Sequence, residues 1–70
     1  MGLLTSLLQK IGTVGVRTDG GYMIVDLRDE VIRLPDGKII RKEDILTIDT
    51  QKGVIIYRDR DGSIKEVPYT

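Results

Sequence analysis

Seventy residues carry eleven basic and eleven acidic side chains, with neither histidine nor cysteine. A chain of this size builds one core and not two, burying about 60% of the surface it exposes when unfolded, and without thiols or imidazoles it has no disulfide and no ordinary structural zinc to support that core. A formal net charge of zero supplies no global field towards nucleic acid or an anionic membrane, so any such site would have to be a local patch.

Hydrophobic residues make up 40% and charged residues 31% of the chain, the composition of a folded domain. The aromatics are Tyr22, Tyr57 and Tyr69, too few for a platform on which successive bases stack. The lack of cysteine suits a reducing compartment, and the expected location is cytoplasmic. No apolar run approaches the length that spans a bilayer, and no signal-peptide cleavage site follows the first apolar segment.

In chain order, Gly2 to Ile11 reads as a short amphipathic helix. Leu3, Leu4, Leu7, Leu8 and Ile11 recur at offsets of three and four, and Thr5, Ser6, Gln9 and Lys10 take the other face. Gly12 is a suitable stop. From Thr13 the pattern changes to short runs of Val, Ile, Leu and Tyr bounded by Gly, Asp or Pro, the signature of strands. These predict strands near 13–18, 21–28, 30–34, 38–41, 45–49, 53–58 and 63–67. Asp19-Gly20, Asp36-Gly37 and Asp61-Gly62 predict three hairpins, with Pro35 strengthening the second and Gln51-Lys52-Gly53 a weaker reversal.

Alternation in the second strand assigns Met23, Val25 and Leu27 to the core and Tyr22, Ile24 and Asp26 to the opposite face. Val54, Ile55, Ile56 and Tyr57 are apolar in succession, which implies burial on both faces or pairing with another subunit. Pro68 marks the last strand as an edge or as ending there. The expected fold is therefore mainly β: a single domain with an N-terminal amphipathic helix over 1–12, followed over 13–70 by a small antiparallel barrel or curled sheet, because closure removes exposed edges. In outline this resembles SH3-like and Sm-like small barrels. The stretch DGKIIRKEDILTIDTQKGVIIYRDRDGSIKEV, Asp36 to Val67, also resembles the early half of a LytTR-type DNA-binding domain. That half precedes the later strands with which such a domain contacts DNA, so no DNA-reading residue is carried over.

Catalysis is not expected. Acid, base and nucleophile roles need groups tunable near neutral pH, and only Asp, Glu, Lys and Tyr remain. A carboxylate pair could come from Asp26, Asp29, Glu30, Glu43, Asp44 or Asp49, but these sit beside predicted turns, the ordinary solvated position for a charge. Asp59-x-Asp61-Gly62-x-Ile64 echoes the middle of a calcium-binding EF-hand loop, yet Tyr57 and Pro68 occupy the positions where the end ligands would stand; a plain hairpin explains it. Met1 to Ser6 fits the loose N-myristoylation pattern, against which stands simple packing of the leucine stripe. No cofactor and no metal are expected.

The first functional expectation is a non-enzymatic, self-associating binding module. Leu3, Leu4, Leu7, Leu8, Ile11, Val54 and Ile56 would form the interface of a homo-oligomer, since a small domain tolerates poorly the exposure of side chains whose burial is each worth about 1.5–3 kcal/mol. A protein partner could cover the same surface. The alternative is a binder of nucleic acid or a phosphate-bearing small ligand, sequestering it or inhibiting a larger protein, through Arg33, Arg41, Lys42, Arg58 and Arg60. The bland reading of those five is pairing with nearby Asp36, Glu43, Asp44, Asp59 or Asp61 on a solvated rim. The third is a small enzyme using carboxylates.

Overall fold

The computed structural model describes residues 10–70. The alternating runs form β1 (Thr13–Thr18), β2 (Gly21–Asp26), β3 (Val31–Arg33), β4 (Ile39–Arg41), β5 (Ile45–Asp49), β6 (Val54–Arg58) and β7 (Ile64–Pro68), with a 3₁₀ turn at Lys42–Asp44 between β4 and β5. They make three antiparallel sheets: β1–β2, β3–β4 and β5–β6–β7. The Asp-Gly pairs end the strands as their chemistry requires. In the second hairpin the Asp36 carboxylate accepts the Lys38 N–H at 3.0 Å, and in the third Asp61 accepts the Ser63 N–H at 3.0 Å. The glycines that follow, Gly37 and Gly62, have φ of 92° and 88°, where a side chain would be strained.

Two of the sheets are joined by the end of the chain. β7 continues past Pro68, Tyr69 N–H donates to Gly53 O at 2.9 Å, and Tyr69 bridges Val16 of β1. Gly15 N–H then donates to Thr70 O at 3.0 Å, and Thr70 N–H donates to Gly15 O at 2.8 Å. Backbone hydrogen bonding therefore runs from β5 through β6, β7 and β1 to β2.

The core lies inside this curl. The first hairpin contributes Val14, Val16, Val25 and Leu27, the second Ile32, Leu34 and Ile40, and the three-stranded sheet Ile45, Ile48, Ile55, Tyr57 and Val67. Ile11 and Tyr69 pack against it, and no polar or charged residue is buried among the described residues. Ile45 and Ile48 both point inward although three positions apart, which strict alternation forbids. A register irregularity between Ile45 and Thr47 absorbs the extra residue and turns Leu46 outward.

Two glycines are required for space. A Cβ on Gly20 would lie 2.6 Å from Pro35 O and 2.7 Å from Asp36 Cα, so the tip of the first hairpin rests backbone to backbone on the tip of the second. A Cβ on Gly15 would overlap the Tyr22 ring, which lies across the glycine and brings its hydroxyl 3.2 Å from Thr70 Oγ1. The aromatic ring thus covers the one position on β1 that has no side chain to pack.

The expectation of a helix followed by a barrel is corrected in two respects. The described residues form no α-helical element; beyond the 3₁₀ turn only Lys10 and Ile11, at their very start, are helical. The segment read as helical, with Leu3, Leu4, Leu7 and Leu8, falls mostly on residues 1–9, outside the described residues. The strands also do not close into a barrel. After β2 the chain turns sharply, Asp29 N–H donating to Asp26 O at 3.1 Å, and β3 pairs only with β4, so a seam stays open between β2 and β3. β6 needs a smaller correction. Ile55 and Tyr57 are buried, whereas Val54 and Ile56 are half-buried on the opposite face, so the run is not buried equally on both sides.

Leu27, fully buried, sets the scale of core loss: Leu27→Ala should cost about 2–5 kcal/mol through the cavity it leaves. Gly20→Ala, a surface turn substitution, should cost about 1–3 kcal/mol by forcing the tips apart. Urea unfolding measures both, and an unchanged midpoint for Gly20→Ala would contradict the contact between the turns.

Candidate functional site

The open seam is the most distinctive surface of the fold, and its backbone chemistry follows from the Gly15–Thr70 pair. Along an antiparallel strand, successive residues direct their N–H and C=O groups to alternate sides. Gly15 faces the chain end, so its β2 partner Ile24 must direct its own groups to the far side of β2, and so must Tyr22, two residues earlier. Among the described residues no strand pairs with β2 on that side. The donors and acceptors of Tyr22 and Ile24 therefore line an edge that can accept another strand.

The side chains there are apolar and uncovered. Tyr22 is 55% exposed, Met23 41%, Ile24 62%, and Val31 across the seam 46%. Met23, assigned to the core with Val25 and Leu27 from the alternation, is exposed instead: it shares its face of β2 with the buried Val25 but stands where the curl opens. Natural edges are usually guarded by lysine, proline, a bulge or an inward charge, and Gly21 to Val25 has none of these. Between β2 and β3 lies a groove of about 420 Å³, with Met23, Ile24 and Val31 in its walls. Its charged lining is Asp26, Asp29 and Arg33.

These charges differ in how far they are already satisfied. Arg28 grips Asp26 with both ends of its guanidinium, Nε at 2.9 Å and Nη2 at 2.8 Å, and adds its backbone N–H at 2.9 Å. The side-chain bonds from Arg28, then its backbone N–H, hold the Asp26 carboxyl down at about 2. Asp29 and Arg33 make no ion pair among the described residues.

A second polar cluster lies across the molecule. Lys38 Nζ reaches Asp59 Oδ2 at 3.1 Å and the Tyr57 hydroxyl at 3.4 Å, standing 5.7 Å from the centre of the Tyr57 ring, while Lys65 approaches the same carboxylate at 3.6 Å. Asp59 is held below the ordinary carboxylate range by the Arg60 N–H and then by Lys38, and Lys38 is raised by Asp59 and then Tyr57. Two of the three donors of Lys38 are thus committed within the protein. The cluster ties the second hairpin to the third, and it presents neither an activated nucleophile nor an unpaired base.

Of the five basic residues singled out from sequence, Arg33 and Arg41 share the exposed face of the β3–β4 pair, diagonally across it, and the others lie apart in the elements that carry them. Arg33 lines the β2–β3 groove, and Arg60 lines a separate cleft with Lys38, Ile39 and Asp59. Arg41 sits on β4 and pairs with Glu43 at 3.3 Å, both side chains being 70% exposed. Lys42 donates to Arg28 O at 3.3 Å, and Arg58 is exposed on β6 opposite Ile64. Of the expected interface residues, Ile11 packs on the core and Val54 and Ile56 lie half-buried on the outer sheet face. Among the described residues no group of three or more Asp or Glu side chains is placed to hold a metal ion, and no helix is long and apolar enough to cross a membrane.

Sequence reasoning placed Tyr22 and Ile24 on the outer face of β2 but did not mark them as a site. The signal was present in the strand itself, an apolar run with no guarding charge. What was missing was the knowledge that β3 would turn away. No family model, curated protein or solved structure matches this chain.

Asp26 offers a test of the groove's electrostatics. Its folded carboxyl titrates at about 2 against an ordinary 3.8, so its ionisation favours the folded state above pH 4, and that contribution disappears as the pH falls towards 2. Asp26→Asn should therefore lower the melting temperature at pH 6 and make its decline between pH 4 and pH 2 shallower. A decline as steep as in the parent protein would contradict the pairing with Arg28.

Proposed function

We propose that this chain is a non-enzymatic binding module whose working surface is the β2 edge, where an extended segment of a protein partner docks as an added strand. One observation carries the reading: among the described residues, the outward backbone groups of Tyr22 and Ile24 have no partner strand and stand beside exposed apolar side chains, and Gly21 to Val25 carries no lysine, proline, bulge or charge to discourage pairing. Main-chain hydrogen bonds would supply affinity, and the groove walls would select alternate side chains. The cysteine-free composition suits work in a reducing cytosol. Phosphate or nucleic-acid binding has less support, since none of the grooves described above gathers two of the five basic residues. Catalysis has less still, as the Lys38, Tyr57 and Asp59 cluster is engaged among its own members.

Self-association is the second reading, favoured by the outer face of the β5–β6–β7 sheet. Val54 and Ile56 are half-buried there, and Ile64, opposite Arg58 on the same face, is 55% exposed. A second copy covering this face would make the module a homo-oligomer.

Selection of random heptapeptides against the immobilised protein, followed by amide chemical-shift mapping, separates the two. The first reading expects selected peptides to shift Tyr22 to Asp26 and to lose about tenfold or more in affinity in Ile24→Lys, with Ile64→Lys unaffected. Sedimentation equilibrium showing a dimer that Ile64→Lys dissociates would support the second. Peptides that shift no β2 amide would overturn strand uptake.

A further inference from the structure

From the same groove, and resting on the strand-uptake reading, we infer that the segment it takes is an extended peptide of fixed polarity. The peptide runs antiparallel to β2, carries a basic side chain near its N-terminal end and an acidic one about four residues later, and has apolar residues between them.

The orientation of the groove is set by contacts already described. Gly20 rests on Pro35 and Asp36, so the tips of the first two hairpins meet and β3 runs back alongside β2 in the opposite direction. One end of the seam therefore holds Asp26 and Asp29, at the turn between the strands, and Arg33 stands towards the other end, two residues before Pro35. At about 3.3 Å per residue, the distance from the acidic end to Arg33 matches roughly three to four residues of a bound strand.

Charge decides what those ends prefer. Asp26 is neutralised by Arg28, whereas Asp29 and Arg33 have no ion-pair partner among the described residues. An incoming strand with the opposite order, acid by Asp29 and base by Arg33, would place like charges together at both ends. A strand with the matching order pairs both. Antiparallel pairing is the commoner arrangement, and it puts the peptide's N-terminal residue beside Asp26 and Asp29. Every second residue then shares the outer face with Tyr22 and Ile24, which is also where Val31 and Arg33 are exposed. The intervening residues face Met23 and the buried Val25, so they are apolar.

A neutral protein has no general preference between a peptide and its charge-swapped isomer, so any discrimination reports the groove itself. The probes are acetyl-Lys-Val-Ile-Val-Glu-amide and acetyl-Glu-Val-Ile-Val-Lys-amide, titrated into isotope-labelled protein at low salt and followed at the Tyr22 to Asp26 amides. Two exposed pairs, each of modest strength and each replaced by repulsion in the isomer, should separate the affinities by about tenfold. Arg33→Glu should narrow or reverse the preference, and Asp29→Lys should act likewise from the other end. Neither position makes an ion pair among the described residues, and Asp29 acts on Arg28 only at a distance, so both variants should keep the parent melting temperature within a few degrees.

The Lys-first peptide binding tighter, with the preference reduced in both variants, supports the inference. Equal binding of both isomers at β2 overturns the fixed polarity and leaves strand uptake standing. A preference for the Glu-first peptide also overturns the polarity. If neither peptide shifts a β2 amide, both the inference and the reading beneath it fall.

Discussion

Two hydrogen bonds between Gly15 and Thr70 decide which surface of this small protein is open. β1 has two sides, one taken by β2 and the other by the last residues of the chain. With both filled, β1 becomes an interior strand, and the unpaired edge passes to β2. Gly15 is suited to this position twice over. Its backbone binds the chain end, and the absence of a side chain lets Tyr22 lie across it and reach Thr70 with its hydroxyl. The same residues that fasten the terminus thus hold in place an exposed aromatic of the candidate site.

The rest of the architecture keeps that edge open. A closed barrel would have paired β3 with β2, but the Asp26–Arg28 grip and the tight turn that follows send β3 to β4 instead. Contact between the two hairpin tips bounds the seam at one end and the turn from Asp26 to Asp29 bounds it at the other, so it opens only along its length. The result is a groove with strand edges on two sides, apolar in the middle and charged oppositely towards its ends. The Lys38–Tyr57–Asp59 cluster has a different part. It fastens the second and third hairpins and consumes its charges in doing so, as an ion-pair cluster of structural purpose does.

The seven strands lie close to where alternation and turn chemistry put them, because in this chain nearly every apolar run is short and ended by Asp-Gly, Pro or a charge. Local signals of that kind survive folding. What depends on distant partners was not legible. Ile45 and Ile48 share a face only because of a bulge, and a bulge leaves no mark in the order of residues. Gly20 looks like a turn glycine, yet the left-handed conformation falls on Gly21, and Gly20 is needed because another turn lies against it. Closure was expected from the principle that edges are costly; it failed because the chain bends away after Asp26. The site shares this origin. Tyr22, Met23 and Ile24 were visible as a strand, and it is the absence of a neighbouring strand among the described residues that makes them a surface. Of the five basic residues only Arg33 and Arg41 are brought onto one face, by the β3–β4 register, and no groove joins them to the rest.

Native-state hydrogen exchange on the dilute monomer tests the central claim most directly, since it reads each backbone group separately. The amides of Gly15 and Thr70 should be protected together, while those of Tyr22 and Ile24, inside the same hairpin, should exchange at rates close to an open chain. Protection of Tyr22 and Ile24 in the monomer would mean that the β2 edge is already filled, and the account of this surface as a docking edge would fail.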